Sequence, residues 1–148
     1  MQKYKYKLEA LLKLRKFKES ALKVELGRIN QEISSVNESI KKLKENINQS
    51  YQDQEVALSE ATSGQMAQFY PRYIQGQRED IKNKENLLYS LQKKYESKLK
   101  EVSLAMGETK LISKMKEDDF NKYKHKIEKK QHENREEMNI MRHNLKES

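Results

Sequence analysis

A stride that alternates four and three residues, begun at Leu8, meets Leu12, Arg15, Glu19, Leu22, Leu26, Ile29, Ile33, Val36, Ile40, Leu43, Ile47, Ser50, Gln54, Ala57 and Ala61. Twelve of these sixteen positions are apolar, and the run from Leu22 to Ile47 has no exception. A stripe with a period of about 3.5 residues, sustained this long, is a coiled-coil seam. Leu11, Leu14, Phe17, Ala21 and Val24 lie beside its start and make the apolar face wider there than a two-helix contact requires. That end is expected to touch something more.

Composition agrees with a helical rod rather than a compact domain. Charged residues make up 36% of the 148, against about 25% in ordinary globular chains. Four Gly, one Pro and no Cys leave almost no helix breakers and exclude a disulfide scaffold or a Cys-based metal or redox site. The longest uncharged run, residues 61–71, is eleven residues and mostly polar, where crossing a bilayer takes about 20 apolar ones. The expectation is a cytoplasmic protein.

The second half repeats the pattern less cleanly. Ile74, Ile81, Leu88, Tyr95 and Val102 recur every seven residues, with Leu91, Leu99, Met106 and Ile112 nearby. Phe120, Tyr123, Ile127, Met138, Met141 and Leu145 follow, and the step from Ile127 to Met138 needs a slip of the heptad frame. Between the halves stand Thr62-Ser63-Gly64, Phe69-Tyr70-Pro71 and Gly76. Gly64 suits the residue after a helix C-terminus, and Pro71 suits the first turn of the next helix. The predicted fold is all-α: a single antiparallel two-helix coiled coil with unequal arms. Its first helix covers about residues 4–61, its turn about 62–70 and its second helix about 71–143. The alternative is one continuous helix that dimerises in parallel.

If Ala61 faces Ile74, facing residue numbers sum to about 135. Leu8 then meets Ile127, and the last 21 residues project as a lone helix of about 30 Å. Gly27 and Gly107 would coincide, as a flexible or closely packed joint or by chance. Residues 1–28 carry 9 basic and 3 acidic groups, residues 29–109 carry 11 and 12, and residues 110–148 carry 11 and 8. Folding the hairpin therefore gathers the net +8 at the pole that holds both termini, where it can steer an acidic partner. Arg15, Lys16, Lys18 and Lys23 would lie near Lys122, Lys124, Lys126, Lys129 and Lys130. Phe69, Tyr70 and Tyr73, with Ile74 adjoining and Tyr51 on the opposite helix, mark the tip, either as a plug or as a partner-facing patch.

Catalytic signals are lacking. His125 and His132 share a helical face with Glu128 and Glu136, but no third strong ligand has fixed spacing. There is no phosphate-binding loop sequence and no Cys nucleophile. No enzyme activity, cofactor or metal is expected.

The opening Tyr6-Lys7-Leu8-Glu9-Ala10-Leu11-Leu12-Lys13-Leu14-Arg15-Lys16-Phe17-Lys18-Glu19 resembles the start of the flagellar export protein FliJ family. Tyr70-Pro71-Arg72-Tyr73-Ile74 is similar to that family's aromatic–x–x–aromatic–Ile segment. Lys114-Met115-Lys116-Glu117, Tyr123 and the stretch Glu128 to Glu137 resemble its late Lys-x-Lys-Glu, Tyr and Glu-rich region. The resemblance implies a non-enzymatic component of the flagellar type III export apparatus, similar in fold to the central stalk of rotary ATP synthases. It implies three partners: the hexameric export ATPase, the cytoplasmic domain of the export gate, and substrate chaperones. The location implied is peripheral, at the cytoplasmic face of the inner membrane at the flagellar base. On this reading the ATPase-binding pole comprises Leu11, Leu14, Arg15, Lys18, Lys126, Lys130, Met138 and Met141. The gate-binding tip comprises Ile47, Tyr51, Phe69, Tyr70, Tyr73 and Ile74. Two other readings stay open: a structural coiled-coil spacer or dimer, and a basic nucleic-acid-binding rod. The second is weakened by 23 acids interleaved with the bases and by the lack of a recognised binding motif.

Overall fold

The computed structural model describes residues 3–60 and 64–147, apart from the side chains of Gln65 and Met66. Two helices form: α1, Glu9–Ser59, of 51 residues, and α2, Gly64–Glu147, of 84. No strand occurs among the described residues. The helices pack antiparallel, so the chain is a helical hairpin and not one continuous helix.

Both seams are legible in burial. Every α1 stripe position from Leu8 to Ala57 is buried or half-buried, its four polar members included. Ala61 lies outside the described residues, as do Thr62 and Ser63 of the expected turn. On α2 the same three–four alternation runs through Ala67, Tyr70, Ile74, Gln77, Ile81, Lys84, Leu88, Leu91, Tyr95, Lys98 and Val102 to Ala105, Thr109, Ile112 and Lys116. Each of these is also buried or half-buried. Leu99 and Met106, both more than 40% exposed, are not seam residues. Ser50 and Thr109 can be buried because each hydroxyl donates to the carbonyl one turn back, Asn46 at 2.8 Å and Ala105 at 2.9 Å.

The ends differ from expectation. Helix α1 starts at Glu9, not near residue 4, because residues 3–8 alternate in burial with a period of two: Tyr4, Tyr6 and Leu8 face inward while Lys3, Lys5 and Lys7 face outward. Residues 3–6 form an extended segment, and Lys7–Leu8 a turn in which the Glu9 amide donates to the Tyr6 carbonyl at 3.2 Å. Leu8 accepts the first helical bond from the Leu12 amide at 2.9 Å, and Glu9 places a carboxylate in the first turn, where the helix dipole favours it. Gly64 is the first residue of α2 rather than a C-terminal stop, and Pro71 lies inside that helix. Proline removes one amide donor, but seam packing continues across it from Ala67 through Tyr70 to Ile74.

The chain divides into two compact units, a central one (Ala21–Val102) and a terminal one (Met1–Ser20 with Ser103–Ser148). In the central unit the core holds Ile29, Ile40 and Ile47 of α1 with Ile74, Leu91 and Val102 of α2. Burial of each such side chain contributes about 1.5–3 kcal/mol. Lys98 Nζ lies 2.8 Å from Glu25 Oε2, so facing residue numbers there sum to 123. The terminal unit has Leu12, Ala105 and Ile112 as its core. Arg15 meets Glu108 at 2.8 Å and Glu9 meets Lys116 at 2.7 Å, giving sums of 123 and 125.

The register is therefore near 124, about eleven residues away from the expected 135. The cause is the connection. Helix α1 ends at Ser59 and α2 begins at Gly64, so the aromatic–proline segment belongs to α2 and not to a turn. Gly27 is thus level with about residue 97 in its unit and Gly107 with about residue 17 in its own, and the expected coincidence does not occur. A Cβ at either glycine would meet nothing within 4 Å.

Candidate functional site

In the central unit the aromatic cluster separates into core and surface. Ile47 and Ile74 are only 8% and 5% exposed. Both stand on the seam, where they hold the helices together and leave little surface for the gate-binding tip to which they were assigned. Tyr70, also on the seam, is half-buried. Phe69 and Tyr73, one turn apart, are exposed and stack on each other at 5.7 Å with their planes 17° apart. Phe69 also meets Tyr70 edge-on at 5.5 Å. These rings open onto a groove walled by Asn46, Gln49 and Asp53 of α1. Tyr51 is exposed at its ring, which lies 5.9 Å under the Arg78 guanidinium, and its hydroxyl accepts a hydrogen bond from that same group.

The terminal unit is arranged differently from the expected basic pole. Arg15 is bonded to Glu108, and Glu9 to Lys116, so the first turns of α1 do not face Lys122–Lys130. The lysines gathered with Lys122 and Lys126 are instead Lys3 and Lys5 of the extended segment, around an open groove floored by Tyr4 and Tyr123. Tyr4 is the anchor. Its ring lies 5.1 Å from both Phe120 and Tyr123, and its hydroxyl donates to Asp119 at 3.0 Å. Partial desolvation, then the Asp119 carboxylate, push the Tyr4 phenol up to about 12. The Tyr6 hydroxyl reaches the Ile112 carbonyl at 3.4 Å.

Of the other residues expected to bind at this end, Leu11 is half-buried, while Leu14, Lys18, Lys126 and Lys130 are exposed. Met138 and Met141 are 59% and 66% exposed, on a stretch of α2 from residue 128 to 147 in which no position is buried. Sequence reasoning missed Lys3, Tyr4 and Lys5. The signal was present as the strict alternation Lys3-Tyr4-Lys5-Tyr6-Lys7-Leu8, whose period is that of a strand and not of a helix.

No three His, Cys, Asp or Glu side chains converge among the described residues. His132 instead sits 3.2 Å from Glu136 on its own helix. No helix among the described residues is long and apolar enough to cross a membrane.

A two-helix hairpin with buried three–four seams on both helices belongs to the class of coiled-coil proteins. The family model described as Flagellar FliJ protein matches residues 4–148, nearly the whole chain, and the chain belongs to that family. It is a flagellar export-related component. No curated protein and no solved structure matches it.

Proposed function

We propose that the protein is a non-enzymatic part of the flagellar type III export apparatus that joins other components through its two units. The terminal unit binds and stimulates the hexameric export ATPase. The exposed rings Phe69 and Tyr73 contact the cytoplasmic domain of the export gate, and the same chain receives substrate chaperones. The protein works in the cytoplasm, peripheral to the inner membrane at the flagellar base.

One observation carries the reading: family membership across residues 4–148 coincides with a 20-residue stretch of α2, 128–147, in which every position is exposed. A helix of that length with Met138, Met141 and Leu145 exposed at i, i+3 and i+7 is suited to adaptable apolar contacts with a surrounding protein. The lysine groove of Lys3, Lys5, Lys122 and Lys126 favours an acidic surface around it. The test is co-purification of the full chain with the ATPase and with the gate domain separately. Capture of both, the first reduced by salt, supports the proposal; capture of neither contradicts it.

A further inference from the structure

The open groove of the terminal unit has two unlike walls. One is the extended segment, with Lys3 and Lys5 on its outward side; the other is α2, with Lys122 and Lys126 one helical turn apart. All four lysines are exposed, and none forms an ion pair among the described residues. The carboxylate in the groove, Asp119, is occupied by the Tyr4 hydroxyl at 3.0 Å. At about 840 Å³ the groove falls within the roughly 300–1,000 Å³ of sites that hold a whole ligand, so it has room for more than a single ion.

Two features define which anion fits. Lys3 and Lys5 are two residues apart on extended chain, about 7 Å, and Lys122 and Lys126 are four apart on a helix, about 6 Å. Carboxylates on alternate residues of an extended peptide repeat at nearly the same interval. The backbone is the second feature. Among the described residues, the amides and carbonyls of residues 3–5 make no hydrogen bond, and the Tyr6 carbonyl is the first to be used, by Glu9. An unpaired extended edge is a template for a second extended chain. A helix spends its backbone groups within itself and has none to offer such an edge.

We propose that the groove receives an extended acidic segment of a protein partner, which pairs its backbone with residues 3–5 and carries acids on alternate residues. Its row of carboxylates lies between Lys3 and Lys5 on one wall and Lys122 and Lys126 on the other, while the intervening side chains face the floor of Tyr4 and Tyr123. A second copy of the chain is not that partner. Its own pairs of acids two residues apart, Asp53 with Glu55 and Glu117 with Asp119, all lie within helices. The inference rests on the reading of the terminal unit as a partner-binding end, and it names the element that binds there.

The probe is a labelled synthetic peptide of roughly seven residues, about 23 Å when extended, with Glu at alternate positions and Val or Tyr between them. It is titrated into the full chain by fluorescence anisotropy. Saturable binding is expected, at least tenfold weaker for a peptide of the same composition whose acids are respaced at three and four. N-methylation of one alternate set of peptide amides should also cost at least tenfold, and of the other set little. Lys3→Gln/Lys5→Gln and Lys122→Gln/Lys126→Gln should each weaken binding at least tenfold with unchanged thermal melts, because all four side chains are exposed. No saturable binding, equal binding of the respaced peptide, indifference to both methylated peptides, or undiminished binding by either lysine variant would overturn the proposal. So would equally tight capture of phosphatidylglycerol vesicles or single-stranded DNA by the same four lysines, which would make the groove a general polyanion site. None of these outcomes depends on the ATPase. Peptide binding without ATPase capture would strike the functional reading alone, and ATPase capture without peptide binding would strike this inference alone.

Discussion

Lys98 and Glu25 join the two helices of the central unit at 2.8 Å, in the register that the short connection between α1 and α2 imposes. The Glu25 carboxyl is held below the usual carboxylate range, first by its hydrogen bond from Lys98, and Lys98 is held above its own range mainly by Glu25. Glu9 is lowered likewise by Lys116 in the terminal unit. A depressed carboxylate stabilises the fold above its unfolded value, near 4.5, and that contribution disappears as pH falls through the folded value. The melting temperature of wild type should fall between about pH 5 and pH 2 more steeply than that of Glu9→Gln/Glu25→Gln. Parallel curves would remove these pairs from the account.

The seam makes a sharper demand at Ile40, which is 7% exposed. Ile40→Asp places an unpaired charge in a two-helix contact, at a cost of about 3 kcal/mol or more. Ile33, half-buried on the same stripe, should tolerate Asp better. Ile74→Ala should cost about 2–5 kcal/mol, whereas Phe69→Ala and Tyr73→Ala should each stay within about 0.5 kcal/mol. Urea unfolding followed by far-UV circular dichroism ranks all five, and a Phe69 or Tyr73 penalty equal to that of Ile74 would make those rings core residues.

Gly27 and Gly107 sit in exposed helix where an added Cβ meets nothing. Replacing either with Ala should stabilise the protein by about 1 kcal/mol, and the two gains should add because the sites lie in different units. Denaturant midpoints check this. A loss at either site would mean that the glycine serves some contact outside this chain's own fold.

Tyr4 supplies an alkaline prediction. Its phenol, raised to about 12, stays protonated and bonded to Asp119 after an ordinary tyrosine has ionised. A raised value means stability present below about pH 10 and lost as pH climbs toward 12. Absorbance titration of the eight tyrosines should show a late-ionising one that vanishes in Tyr4→Phe. If Tyr4→Phe leaves the titration unchanged, the ring does not close on Phe120 and Tyr123 as described.

How much of this was legible in the residues divides by mechanism. The α1 seam could be read position by position because its apolar members are frequent enough to carry four polar ones. The α2 seam could not, since Gln77, Lys84, Lys98, Thr109 and Lys116 occupy seam positions with polar side chains whose stems or back-bonded hydroxyls make burial tolerable. The register failed on Pro71, a residue that ordinarily starts a helix and here sits inside one. From that single misplacement came the misassigned neighbours of Arg15 and Lys18 and the supposed meeting of Gly27 with Gly107. The aromatic cluster was found as a group, but only the seam shows that Ile47 and Ile74 face inward while Phe69 and Tyr73 face out.

The central claim, that the terminal unit engages and stimulates the export ATPase, is tested most directly by ATP hydrolysis measured with wild type and with a chain lacking residues 131–148. Positions 131–147 are all exposed, so the shortened protein should keep its melting temperature. The account predicts that it stimulates hydrolysis markedly less than wild type does. Full stimulation by a shortened chain that melts normally would contradict it.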